Sequence, residues 1–88
     1  MVQVSKQAIQ QWMLIDYMAQ KHRFQDRINQ FERKYGMTYA EFEQRIETAD
    51  KEVYEEWDDS ISWGAAVDML AEVIDSIKEI EAGSIEII

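Results

Sequence analysis

Apolar residues recur along two stretches of this chain at helical spacing, mostly in steps of three and four. In the first, Ile9, Met13, Tyr17, Phe24, Ile28, Phe31 and Tyr35 fall on one helix face, with a single polar gap near Gln20 and Lys21. In the second, Trp63, Val67, Leu70, Ile74 and Ile77 do the same, widened by Val73 and Ile80. Asp68, Glu72, Asp75, Lys78 and Glu79 keep largely to the other side of that helix. The pattern predicts long helices over about residues 6–35 and 51–82. Ser5 is placed to cap the first, and Gly36, following Lys34 in the last turn, is placed to end it. Between the two, Thr38-Tyr-Ala-Glu41 is a capping-box sequence. It opens a short helix over about residues 39–48, with Tyr39, Phe42 and Ile46 on its apolar edge. Asp50 is the candidate N-cap of the second long helix, with Glu52 adding favourable charge to its first turn, and Gly83 closes it. Ser60, Ser62 and Gly64 lower helix propensity, so any bend or break is expected there. Residues 84–88 alternate like a short strand or a frayed tail.

The expected architecture is all-α: one domain, an antiparallel hairpin of two long helices with a short helix at the elbow. Trp12, Leu14, Ile15 and Met18 add apolar surface outside the main stripe of the first helix. One antiparallel neighbour covers only one face, so these four residues predict self-association, most simply a dimer forming a bundle.

Composition narrows the picture further. The 88 residues contain no cysteine and no proline, which excludes a disulfide framework and cysteine-ligated metal and favours helices. The net charge of −9 is unevenly spread. Residues 1–37 carry six Lys/Arg against three Asp/Glu, whereas residues 38–88 carry three against fifteen. The acidic half argues against nucleic acid as a ligand and suits a basic protein partner. The start lacks the basic-then-apolar layout of a secretion signal, and the near-apolar run 12–19 is interrupted by Asp16 and too short to span a bilayer. A cytoplasmic protein without membrane contact is expected.

Catalytic chemistry finds little support. His22, the single histidine, sits between Lys21 and Arg23 without a partner base or nucleophile. One spacing stands out: Glu52-x-x-Glu55 followed by Glu72-x-x-Asp75 resembles the four-carboxylate, magnesium-binding pattern of all-α nucleoside triphosphate pyrophosphatases. That alternative requires a tight reversal near Ser60–Gly64, because on one continuous helix Glu52 and Glu72 lie about 30 Å apart. Neither enzymatic activity nor a cofactor is the favoured expectation. Trp57 and Trp63 flank an acidic segment, where tryptophans serve as core or interface anchors.

Phe31-x-x-x-Tyr35-Gly-Met-Thr-Tyr-x-x-Phe42, then Glu55-Glu-Trp57 and the apolar run from Trp63 to Ala82, resemble a family of small acidic helical antitoxins. These are encoded beside small toxins of the TumE type in prokaryotes. The likeness covers roughly residues 24–82 and implies a protein that binds and neutralises a cognate small toxin, expected to be an RNA-cleaving one, by occluding its basic surface. On that expectation Trp57, Trp63 and Leu70 anchor the partner, and Glu55, Glu56, Asp58 and Asp59 supply the electrostatic attraction.

Overall fold

In the computed structural model, residues 5–83 are described. They form three helices: α1, Lys6–Tyr35; α2, Tyr39–Thr48; and α3, Tyr54–Glu81. α1 packs against α3 as a hairpin with α2 at the elbow, and the molecule measures 63 × 19 × 19 Å. The tail expected at 84–88 lies outside the described residues.

The ends of α1 and α2 are set locally. The Ser5 hydroxyl accepts from the Ala8 N–H at 3.1 Å. Gly36, at φ 65°, takes the left-handed conformation that lets its N–H donate to the Glu32 carbonyl at 2.7 Å. Both arms of the Thr38–Glu41 capping box are made. α2 ends where the Thr48 hydroxyl donates back to the Gln44 carbonyl, and Ala49 turns extended.

The expected start of the second long helix is corrected. α3 begins at Tyr54, three residues later than the pattern predicts, and its N-cap is Val53, with no side-chain cap. Asp50 therefore caps nothing, and Glu52 stands in the connector outside the helix. Arg45 pairs with Glu56 in the first turn of α3 and ties it to α2. Glu55 and Glu56 also place negative charge at the helix's positive end.

α3 runs unbroken through Ser60–Gly64. The glycine has a different use from the expected hinge. A Cβ at position 64 would meet the Tyr39 hydroxyl at 2.5 Å, so the bare backbone of Gly64 is what admits the α2 tyrosine against α3.

The core lies at the elbow end and is built around Trp63, which is 0% exposed. Phe31, Tyr35, Tyr39 and Phe42 surround it with ring centroids 5.5, 6.0, 5.5 and 5.1 Å away. Ile28 and Ala66 complete the buried cluster, and Val67 and Leu70 pack against it. Contacts between Tyr35 and Asp59 and between Phe31 and Trp63 fix the antiparallel register of α1 and α3. Continued along two straight helices, that register brings Glu81 level with Met13. The first two turns of α1 then project past the end of α3. Val73, Ile77 and Ile80 are buried on the α1-facing side of this thinner, two-helix end.

Candidate interaction site

The residues expected to bind a partner divide into two groups. Trp63 and Leu70 belong to the core: Trp63 is wholly enclosed and Leu70 packs against the same cluster. In this fold Trp63 offers no surface to a partner. The reason is long-range, since four aromatic rings arrive from α1 and α2 to cover it. Trp57 lies on the opposite side of α3 and is 52% exposed.

The acids sort in the same way. Glu55 and Asp59 both take the Lys34 ammonium, at 2.8 and 2.7 Å. Asp59 also accepts a 2.5 Å hydrogen bond from the Tyr35 hydroxyl, and Glu56 is held by Arg45. These three carboxylates latch the start of α3 to the end of α1 and to α2. The titration of the group follows from its geometry. Burial and the bond to Asp59 push the Tyr35 phenol up to about 12. Lys34 is raised by its bonds to Asp59 and Glu55. For Asp59, partial burial favours the neutral acid, but the bonds from Lys34 and Tyr35 outweigh it and hold its pKa below the usual carboxylate value. Of the four acids expected to attract a partner, only Asp58 enters no ion pair among the described residues and remains exposed.

The carboxylates of the pyrophosphatase-like pattern are not brought together. Glu55 and Glu72 stand on one continuous helix, about 25 Å apart at 1.5 Å rise per residue. Glu52 lies off it, and no cluster of three or more metal-ligating side chains occurs among the described residues. The reversal that a shared ion would need is absent from α3.

Two exposed apolar rows remain. Of the four α1 residues expected to self-associate, Trp12 (58% exposed), Ile15 and Met18 face outward and Leu14 is half-buried. On α3, Tyr54 (79% exposed), Trp57 and Ile61 form the second row, beside a small notch lined by Ile46, Ala49, Val53 and Trp57. Tyr54 and Ile61 are not among the residues expected from sequence. Their signal is present in the spacing 54–57–61, which runs along the face opposite Trp63. No helix among the described residues is long and apolar enough to cross a membrane. Comparison with protein-family models, curated proteins and solved structures finds no match to this chain.

Proposed function

We propose that this chain is an antitoxin-type interaction protein. It binds a small basic toxin of the TumE-like kind in the cytoplasm and neutralises it by covering its basic surface. The observation that carries this reading is the solvent-facing row Tyr54, Trp57 and Ile61 on the most acidic helix of the molecule. Exposed aromatic anchors set among carboxylates suit capture of a basic protein, because apolar contact supplies affinity while opposite charge supplies steering. Occlusion requires no catalytic group of its own. The α1 row of Trp12, Ile15 and Met18 is the face by which a second copy would pair.

The test is genetic and then biochemical. The small protein encoded beside this gene is expressed alone and together with this chain. Growth arrest by the neighbour, relieved by co-expression and accompanied by a stable purified complex, supports the proposal. A neighbour that is harmless, or that fails to bind the purified chain, overturns it.

A further inference from the structure

The solvent side of α3 is continuous and has two chemically distinct halves. Residues 54, 57, 61, 65, 68, 72 and 75 follow each other at steps of three and four, and all are exposed. The first four are Tyr54, Trp57, Ile61 and Ala65; the next three are Asp68, Glu72 and Asp75. The buried residues Trp63, Ala66, Val73, Ile77 and Ile80 lie on the other side of the same helix. The row therefore contributes nothing to the hairpin core. Its carboxylates also differ from those at the elbow. Glu55, Glu56 and Asp59 are neutralised within the chain, whereas Asp68, Glu72 and Asp75 enter no ion pair among the described residues.

From this division we infer that the outer face of α3 is a two-part docking surface for a basic protein. The apolar head, centred on Trp57, fills an apolar pocket of the partner. The carboxylate ladder lies along a basic track beginning about 16 Å further on, from the helical rise between Trp57 and Asp68. The inference deepens the antitoxin reading and rests on it. Charge complementarity selects the occupant. Two copies meeting in parallel through this face would oppose their own ladders, and an antiparallel pair would set each ladder against or beyond the other's apolar head; the row holds no base, so neither arrangement gives the carboxylates a counter-charge. A basic partner gains from all three carboxylates without first breaking an ion pair. The ladder steps about 4.5–6 Å along the axis, so it presents a row of anionic oxygens to a track of lysines and arginines that otherwise binds a phosphate backbone. The attracting residues are then Asp68, Glu72 and Asp75, not the latch acids of the elbow.

The experiment measures binding kinetics of the purified full chain to the protein encoded by the neighbouring gene. Variants are W57A, the triple reversal D68R/E72R/D75R, and a charge-matched control on α1, D16R/D26R/E32R. W57A is expected to weaken affinity about 30-fold or more, mainly through the off-rate. The ladder reversal is expected to slow association about tenfold or more at low salt, an effect that shrinks as salt rises. The α1 control should slow it clearly less. Circular dichroism confirms that each variant is folded. If the wild-type chain binds the neighbour but both α3 variants bind as wild type, the docking face is wrong while the antitoxin reading survives. If wild type does not bind the neighbour at all, that reading fails and takes the inference with it. If the chain alone forms an oligomer that W57A disperses, the occupant is a second copy and the inference is overturned.

Discussion

The two ends of the hairpin differ in how many helices they contain, and nearly everything else about them follows. At the elbow three helices meet. Trp63 and Phe42 are fully enclosed there, and Lys34, Arg45 and Tyr35 tie the start of α3 to its neighbours. At the far end only α1 and α3 meet, each covering one face of the other. Val73, Ile77 and Ile80 are buried between them, while Trp12 and Ile15 are left bare on the back of α1. A third element turns a pair of stripes into an enclosed core, and without it a helix with two apolar faces leaves one exposed.

The sharpest way to break this contrast is at Trp63. Trp63→Ala should cost about 3–5 kcal/mol in urea denaturation, because the ring is buried among four others. The loss should be larger than for Ile77→Ala at the two-helix end, about 2–4 kcal/mol. Equal costs would mean that the elbow is not the stronger half. Next comes the close approach at Gly64. Gly64→Ala places a methyl against the Tyr39 hydroxyl and should cost about 1–3 kcal/mol, with part recovered in the double variant carrying Tyr39→Phe. Thermal melts of the single and double variants measure the coupling.

The latch is a smaller effect with a defined pH dependence. Asp59→Asn should cost about 1 kcal/mol, since it weakens bonds to a half-buried phenol and an exposed ammonium. Asp59 has a depressed pKa, so its contribution is present above the ordinary carboxylate value of 3.8 and is lost as pH falls through its folded value. Tyr35 and Lys34 have raised values. Their contributions are complete below their ordinary values of 10.0 and 10.5 and are lost as pH rises, for Tyr35 through about 12. The latch's contribution should therefore be constant from about pH 5 to 9 in wild type, with the acid and alkaline losses that it causes both reduced in Asp59→Asn. Equilibrium unfolding across pH would reveal it. Smallest of all, Trp12→Ser should change the stability of the isolated chain by no more than about 0.5 kcal/mol, the usual range for exposed positions. A larger loss that depends on protein concentration would show that this face is already covered by another copy.

The bounds of α1 and α2 are legible in the sequence alone, because the signals that set them are local. Ser5, Gly36, Thr38 and Glu41 act on backbone groups no more than four residues away. The start of α3 is not legible in the same way. Asp50 offers a cap by residue type, but α3 begins after Val53 without a side-chain cap, and the pairing of its first turn with Arg45 depends on how α2 folds back. Gly64 is ambiguous for a related reason. A glycine inside a helix pattern signals either a hinge or a close approach, and only the position of Tyr39 distinguishes them.

A helical hairpin with an elbow, an acidic second half, and the rotational position of every apolar residue on its own helix are all readable from the order of residues. Those properties depend on helix periodicity and composition alone. The fates of individual side chains were decided by tertiary structure. Burial of Trp63 needs rings from two other helices, and neutralisation of Asp59 needs Lys34, which lies 25 residues away in the chain. Periodicity says which way a side chain points from its own axis. What it meets there is set by residues distant in sequence, so the division between the acids paired at the elbow and Asp68, Glu72 and Asp75, which enter no ion pair among the described residues, appears only once the helices are docked.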